Sequence, residues 1–234
     1  MNRENVLKEV KEWASTLLFA LAFTQFAASA VRVDGASMLP GLRHGELLLL
    51  PRAEGWAHRA GLGEYHRGDI VVFKPPRDVQ AEWTNRYRGV TLPWKYRPSL
   101  VKRVVGTPGD TVQVRAGVLY VNGQRVSEPS IMNYWNRYCH DVTSNLANTP
   151  TVRVPAGHYF VMGDNRSPGG SLDSRVFGPV SVQDIASRAP ASAFPLMRKA
   201  QAIPSCDGQP HPEQRVQRSG TVEFNPRLLP PENR

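Results

Sequence analysis

The sequence predicts a mainly β protein, in which an antiparallel sheet or partly open barrel follows one N-terminal transmembrane helix. Short apolar runs bounded by turn residues recur from residue 33 onward, and such runs are typical of buried strands. The 20 prolines and 19 glycines among 234 residues favour turns and short strands over a helical bundle. Residues 14–31 carry no charged side chain, which favours an apolar helix ahead of the strands.

The N-terminal region divides into a charged segment and an apolar one. Residues 1–12 contain three basic and three acidic side chains, and Trp13 suits a membrane interface. Residues 13–32 approach the length that a helix needs to cross a hydrocarbon layer of about 30 Å. The basic residues ahead of this segment favour a cytoplasmic N-terminus, so we expect the rest of the chain on the exported side.

A secretory cleavage site is the alternative interpretation of the same segment. Residues 28–30 read Ala-Ser-Ala, which has the small-x-small form of such a site, and cleavage would release a soluble protein starting at Val31. The apolar run is longer than a usual signal core, which favours an anchor. Self-cleavage near Ala30 stays a minor hypothesis.

The body, residues 33–199, is predicted to consist of short strands joined by turns. The glycine-rich residues 55–67 are predicted to form a loop. Residues 78–98 are rich in aromatic and arginine side chains, and they form either a surface that dips into lipid or a loop pinned by its aromatics. The predicted strands are residues 46–50, 68–74, 99–105, 111–114, 118–121, 124–126, 151–154, 158–162, 177–180 and 185–189. Residues 191–199 form either the last strand or a return toward the membrane.

Two segments lack strand character. Residues 127–149, which follow the short strand at 124–126, are polar with few apolar runs, and we expect an inserted cap or ribbon around 123–150. Residues 200–234 are proline-rich without periodicity, so we expect a mostly disordered tail. Cys139 and Cys206 lie one in each segment, and they are either free thiols or, in an exported body, a disulfide.

The net charge of +9 raises the question of an anionic partner. The basic residues are scattered, without a basic helix or a zinc-binding pattern, which favours anionic phospholipid headgroups over nucleic acid. No spacing of histidine, cysteine and carboxylate residues indicates a metal, and no glycine-rich phosphate loop occurs. We therefore expect neither a metal nor a cofactor.

Ser37 and Lys102 are the candidate catalytic pair. Ser37 lies in a turn of small residues just beyond the apolar segment, and its hydroxyl needs a base to become a nucleophile. Lys102 lies in a largely apolar strand, which lowers the pKa of a lysine and so allows a neutral amine to act as that base. Taken singly, a serine in a turn is usually a capping residue and a lysine on a strand usually faces water.

Three sequence motifs resemble the signature boxes of the bacterial type I signal (leader) peptidases, which are membrane-bound Ser-Lys proteases. Residues 37–40 read Ser-Met-Leu-Pro, residues 102–103 read Lys-Arg, and residues 163–166 read Gly-Asp-Asn-Arg ahead of Ser-Leu-Asp-Ser-Arg at 171–175. Each box alone is weak, but the three occur in the family's order behind an apolar segment. With the strands between them they cover residues 12–199.

The resemblance implies roles for individual residues. Ser37 is the nucleophile, Lys102 the general base, and Ser171 the serine that orients the lysine amine. Four residues separate the Gly-Asp-Asn-Arg run from Ser171 instead of the family's usual two, so Ser167 and then Ser174 are the alternatives. The implied structural residues near the site form a charge network that braces the loop: Arg103, Asp164, Arg166, Asp173 and Arg175.

The resemblance also implies an oxyanion site and a mode of substrate binding. The backbone N–H of Ser37 is one oxyanion donor, and Gly35 stands where many relatives have a serine hydroxyl, which leaves the second donor unidentified. An extended peptide is expected beside residues 31–36 and 97–101, with small pockets for an Ala-x-Ala sequence. The implied substrate contacts are Asp34, Gly35, Ala36, Met38, Leu100 and Val101.

The implied protein is a monomeric, single-pass enzyme of the bacterial cytoplasmic membrane that cleaves exported preproteins on the extracytoplasmic side. Within the same class, a specialised protease for pilin or conjugation machinery is an alternative because the chain is short. A self-cleaving repressor would need a DNA-binding region in place of the apolar segment. From another class, an inactive membrane-tethered module that binds leader peptides is favoured by Gly35 and by the longer loop before Ser171.

Overall fold

The computed structural model describes residues 3–26, 29–80, 83–87, 89–138, 148–166, 169–199 and 222–229. The described helices are α1 (Arg3–Phe26), α2 (Arg52–Arg59), α3 (Pro129–Tyr138) and α4 (Ser174–Phe177). The strands are β1 (Ser29–Arg32), β2 (Leu47–Leu50), β3 (Ile70–Phe73), β4 (Thr84–Tyr87), β5 (Val90–Tyr96), β6 (Leu100–Gly106), β7 (Thr111–Arg115), β8 (Val118–Val121), β9 (Gln124–Arg125), β10 (Val152–Arg153), β11 (His158–Met162), β12 (Val180–Ser181), β13 (Ile185–Arg188), β14 (Ala191–Phe194), β15 (Met197–Lys199), β16 (Val222–Phe224) and β17 (Arg227–Leu228).

The strands pair antiparallel, which confirms the predicted mainly β architecture. They form a five-stranded sheet in the order β12-β11-β6-β3-β13 and two four-stranded sheets in the orders β1-β2-β14-β17 and β10-β7-β8-β9. β4 pairs with β5 and β15 with β16 as separate two-stranded ribbons. Among the described strands the sheets are open, and no closed barrel is formed.

The centre of the five-stranded sheet is buried because β3 is apolar on both faces and the neighbouring strands β6 and β11 are largely apolar. All four residues of β3 are buried, and they alternate between two core clusters as a pleated strand requires. Ile70 and Val72 pack with Met38 and Leu42, the anchors of the Ser37 turn. The opposite face of β3 packs in a second cluster around Val104. The sheet therefore connects the serine turn to the rest of the core.

The N-terminal segment differs from the predicted helix at residues 13–32. α1 begins at Arg3, and it ends at Phe26. Residues 29–32 instead form β1, in which Ser29 lies opposite Leu50 and Arg32 opposite Leu47, because the sheet offers this stretch backbone partners. None of the described helices combines the length and the apolar composition that a membrane crossing needs.

Two other predictions need correction. The predicted loop at 55–67 contains most of α2, where Gly55 is buried with its backbone so close to Ala186 that no Cβ fits. The predicted strand at 177–180 begins with Phe177 as the last residue of α4. Within the tail that is predicted to be mostly disordered, β16 and β17 pair with β15 and β14.

The predicted cap at 123–150 contains a helix. Pro129 is the first residue of α3, a position where its missing N–H costs nothing. Residues 139–147 of the cap lie outside the described residues, as do residues 200–221 of the tail. Cys139 lies in the first of these stretches and Cys206 in the second, so free thiols and a disulfide both stay predictions.

Candidate active site

The turn that carries Ser37 is fixed to the body at both of its ends. The backbone N–H of Val33 donates to the backbone carbonyl of Glu46, and the N–H of Gly45 donates to the backbone carbonyl of Val33. Met38 and Leu42 are 1% and 0% exposed and pack in the core beneath the turn. Met38 therefore lies in the core, although the sequence placed it among the substrate contacts. Ser37 itself is half-buried at the top of this anchored turn.

The structure brings the predicted base to the predicted nucleophile. Lys102 lies on β6, where it pairs opposite Val71 in the middle of the five-stranded sheet. Its side chain is 3% exposed, and its Nζ donates to Ser37 Oγ at 2.7 Å and to the Val101 carbonyl at 3.0 Å. Two residues 65 positions apart in sequence are thus in direct contact in a nearly dry setting.

The loop at residues 163–166 connects the nucleophile to the strand that carries the base. The backbone N–H of Asn165 donates to the Ser37 carbonyl at 3.0 Å, and Asn165 Nδ2 donates to the Ala36 carbonyl at 3.2 Å. Next to them, Arg103 of β6 donates to both carboxylate oxygens of Asp164 at 2.8 and 2.7 Å. A shift of this loop would move both catalytic candidates.

Ser171 contacts Asp173, which is the centre of a second polar cluster. The Ser171 hydroxyl and the Gly163 N–H donate to Asp173 Oδ2 at 2.8 and 2.9 Å, and Arg175 pairs with the same carboxylate. Burial opposes the charge on Asp173, but these donors, led by Arg175, outweigh it and lower the pKa of Asp173. Asp173 is therefore a charged residue that holds Ser171 in place.

Gly163 shows how closely Ser171 approaches the nucleophile. A Cβ added to Gly163 would collide with both the Ser171 hydroxyl and the Ser37 carbonyl, so the two serines lie beside the same glycine. Ser174, the third alternative, uses its buried hydroxyl to accept the Val161 N–H at 2.9 Å. Ser167, the second alternative, lies outside the described residues.

Sequence reasoning missed a buried support beneath the site. Arg166 donates to both carboxylate oxygens of Glu128, just ahead of α3, at 2.7 and 2.6 Å. Burial disfavours the charged guanidinium, but Glu128 beside it outweighs this effect and raises the pKa of Arg166. Trp135 of α3 is 0% exposed and packs on Leu39 of the nucleophile turn. Ile131 and Trp135 stand one helical turn apart, a spacing that could have predicted this apolar face.

His44 is a second residue that sequence reasoning missed. The N–H of Gly35 donates to His44 Nδ1 at 3.1 Å, and Asp34 Oδ1 lies 3.2 Å from the same nitrogen. Gly35 has a φ of +87°, a left-handed conformation that favours glycine. The N–H of Gly35 thus has an acceptor in His44 in this structure.

The predicted substrate edges are strand edges. β1 is the edge strand of its sheet, and it leads directly into the Ser37 turn. β3 pairs with Leu100 and Val101 on one side, whereas β11 joins β6 only from Arg103 onward. Among the described strands, the second edge of Leu100 and Val101 carries no partner strand.

No group of three or more histidine, cysteine, aspartate or glutamate side chains within the described ranges could hold a metal ion. A serine hydroxyl in contact with a buried lysine amine is the arrangement of serine hydrolases that use lysine in place of histidine.

The chain belongs to the signal peptidase family. The family model described as "Signal peptidase, peptidase S26" matches residues 6–194. Similar proteins are the probable signal peptidase I-1 of Synechocystis, 34% identical over 79% of this chain and 81% of its own length, and signal peptidase I S of Bacillus subtilis, 35% identical over 75% and 84%. Signal peptidase I of Bacillus caldolyticus is 31% identical over 80% of this chain and 91% of its own length.

Membership of this family makes the chain a serine peptide hydrolase, as the three sequence boxes predicted. A crystal structure of a signal peptidase I from Enterococcus faecalis V583 covers 54% of this chain and 97% of its own length at 30% identity. Its TM-score of 0.38 is too low to support a statement about the fold.

Proposed function

We propose that the chain removes signal peptides from exported preproteins by means of a catalytic dyad formed by Ser37 and Lys102. The observation that carries this proposal is the 2.7 Å contact between Lys102 Nζ and Ser37 Oγ, with Lys102 only 3% exposed. Burial disfavours the charged ammonium, so it supports a neutral amine that can accept a proton. At this separation either atom can hold the proton between them.

The reaction follows from these positions. Lys102 takes the proton of Ser37 while Ser37 Oγ attacks the scissile carbonyl carbon, and the backbone N–H of Ser37 donates to the developing oxyanion. The ammonium of Lys102 then gives its proton to the leaving amine as the C–N bond breaks, which leaves an acyl ester on Ser37. A water molecule then attacks the ester carbonyl as Lys102 takes its proton, and the ammonium returns that proton to Ser37 Oγ as the ester C–O bond breaks.

Ser171 is proposed to orient the amine of Lys102. Its only hydroxyl hydrogen is donated to Asp173, so towards the lysine it can act only as an acceptor of an N–H. Accepting one N–H would turn the lone pair of the amine towards Ser37. A neutral acceptor suits this role because a carboxylate beside the amine would stabilise the ammonium and weaken the base.

The substrate is proposed to bind as an extended strand between the turn at 34–36 and the outer edge of Leu100 and Val101. The open strand edge described above supports this mode, since it offers backbone donors and acceptors to an added strand. The turn contributes Gly35, which has no side chain, and Ala36, which has only a methyl group, so both leave room for a peptide chain. Small residues in an Ala-x-Ala leader end would fit such a site.

The body is proposed to work at the extracytoplasmic face of the bacterial cytoplasmic membrane, attached through the N-terminal segment. Support comes from exposed apolar side chains, which in this number mark an interaction surface. On α1 they include Trp13, Leu17, Leu18, Phe19, Leu21 and Phe23. Cell fractionation with carbonate extraction tests this location, and recovery of the whole chain in the soluble fraction would contradict it.

The function is tested with a peptide that ends its leader in Ala-x-Ala, presented in detergent. We expect wild type to cut after the second alanine, Ser37→Ala to be inactive, and Ser127→Ala, a control at an exposed serine, to match wild type. Equal inactivity of wild type and Ser37→Ala would favour a module that only binds leader peptides.

A further inference from the structure

Residues 222–229, here the C-terminal segment, are an integral part of the body although they lie beyond the family match at 6–194. β16 pairs with β15, and β17 pairs with β14 of the same sheet that holds β1 and β2. Leu229 packs against the core cluster that contains Met38 and Leu42, the anchors of the Ser37 turn. The segment thus reaches the underside of the nucleophile turn.

Glu46 is the group that ties this segment to the body. It is 1% exposed, and its carboxylate accepts hydrogen bonds from Ser192 Oγ at 3.0 Å, Arg198 Nη1 at 2.7 Å and Arg227 Nη2 at 3.0 Å. A buried carboxylate is tolerated only when cations or donors surround it. One of the two cations that Glu46 needs is therefore supplied by the C-terminal segment.

Arg227 makes a second contact that reaches the nucleophile turn itself. The same Nη2 atom donates to the backbone carbonyl of Gly41 at 2.7 Å. Gly41 lies four positions beyond Ser37, and a Cβ added to it would collide with Asp164 of the loop that contacts Ser37. Arg227 is thus bonded to the backbone at a point where the nucleophile turn and this loop touch.

We infer that Arg227 is a positioning residue, through which the C-terminal segment holds the Ser37 turn in register with Lys102. The inference rests on the proposed dyad, and it assigns to residues 222–229 a part in catalysis that lies outside the family match. A displacement of reacting groups by about 1 Å can cost on the order of a hundredfold in rate, so a support at this point affects turnover more than substrate binding.

Arg198 offers a matched control. Like Arg227 it donates to Glu46, and its other ion pair runs to Glu223 in the C-terminal segment. Arg198→Met and Arg227→Met each take one cation from Glu46 and one further contact from the C-terminal segment, which is Glu223 for Arg198 and Asn225 for Arg227. Only Arg227→Met removes a bond to the nucleophile turn, at Gly41. A change seen in both variants reports a general loss of stability, whereas a change seen only in Arg227→Met reports the loss of the bond to the Ser37 turn.

The test uses the full chain and two readouts, peptide cleavage and amide hydrogen exchange of residues 36–42. We expect Arg227→Met to lower kcat about ten- to hundredfold with KM changed less than about threefold, and to speed exchange in the turn. Arg198→Met should leave kcat and exchange in the turn close to wild type. Arg227→Lys should recover most of kcat, since one ammonium can donate to both Gly41 and Glu46.

If Arg227→Met alone fails to fold, Arg198→Met and Arg227→Met are compared in a Glu46→Gln background. In that background neither substitution leaves a buried carboxylate without a cation. Equal effects of Arg198→Met and Arg227→Met on kcat and exchange, or unchanged exchange in Arg227→Met, would overturn the inference. If wild type does not cleave the peptide at all, the proposed function fails, and the exchange comparison still decides whether Arg227 holds the turn.

Discussion

The indole N–H of Trp135 donates to the backbone carbonyl of Asp164 at 2.7 Å, which ties α3 to the loop that contacts Ser37. Trp135 also packs on Leu39, so one side chain touches both the loop and the nucleophile turn. The predicted cap at 123–150, for which the sequence indicated no role, therefore holds the loop and the nucleophile turn together through Trp135.

Replacement of Trp135 by phenylalanine keeps an aromatic ring but removes the indole N–H. The Asp164 carbonyl then loses a buried partner, and we expect the free energy of unfolding to fall by about 1–3 kcal/mol. Urea unfolding measures this change. Trp94→Phe, at a side chain that is 62% exposed, is the control and should change stability by less than about 0.5 kcal/mol. Equal small effects of both substitutions would show that the bond contributes little.

Removal of the charge of Glu128 leaves Arg166 buried without its carboxylate. Glu128→Gln should therefore cost about 3–5 kcal/mol, because an uncompensated buried charge remains. Asp184→Asn, which breaks a pair with Arg97 that is partly exposed, should cost less than about 1 kcal/mol. A double-mutant cycle with Arg166→Met isolates the coupling, and additive losses in that cycle would contradict a strong buried pair.

Much of this support was invisible to sequence reasoning for identifiable reasons. The strands β3 and β11 are mostly apolar runs and β6 is apolar apart from Lys102 and Arg103, and all three were predicted to within one or two residues at their ends. The prediction of a loop where α2 lies was wrong because Gly55 was interpreted as a turn residue, whereas it is a glycine on which Ala186 packs. A local sequence pattern can predict a strand. It cannot show that position 55 needs glycine because Ala186 packs against it.

In the candidate site, too, some residues could be predicted from local sequence and others could not. Ser37 and Lys102 stand in motifs that can be matched one by one, and the fold brings them together. Arg227 and Glu46 are 181 positions apart, and each alone resembles an ordinary surface charge. The tail that holds Arg227 has no periodicity, so composition indicated disorder, whereas two short segments of it pair as strands with β14 and β15.

Acid should weaken the fold in part through Asp110. Burial raises the pKa of this carboxyl, but hydrogen bonds from Arg67, Thr107 and Asn122 outweigh it and lower the pKa to about 2. A carboxyl whose pKa is lower in the folded state stabilises the fold above its unfolded pKa, and this contribution disappears as the pH falls through the folded value. It should therefore be present above about pH 4 and be lost towards pH 2, with a total of about 2 kcal/mol.

Urea unfolding at several pH values between about 5 and 2 tests this contribution. The Asp110→Asn variant should show a shallower decline of the unfolding free energy with acid than wild type does. Asp184→Asn serves again as the control with a carboxyl that is partly exposed. Parallel curves for wild type and Asp110→Asn would contradict the lowered pKa.

Gly163→Ala should reduce turnover while the fold persists. The added methyl group meets the Ser171 hydroxyl and the Ser37 carbonyl, and a backbone carbonyl cannot turn aside as a flexible side chain can. Displacement of the nucleophile by even about 1 Å would lower kcat on the order of a hundredfold. Steady-state kinetics combined with circular dichroism measure both effects. A folded Gly163→Ala enzyme with wild-type kcat would show that the two serines need not stay so close.

The most direct test of the account is the pH dependence of kcat/KM for leader-peptide cleavage, measured for wild type and for two lysine variants. Lys102→Met should abolish cleavage with the fold intact, and Lys95→Met, at an exposed lysine, should leave it unchanged. The wild-type rate should fall in acid as the amine of Lys102 gains its proton and can no longer activate Ser37. A wild-type profile that stays flat down to about pH 4, or a Lys102→Met enzyme that still cleaves, would contradict a neutral lysine as the base.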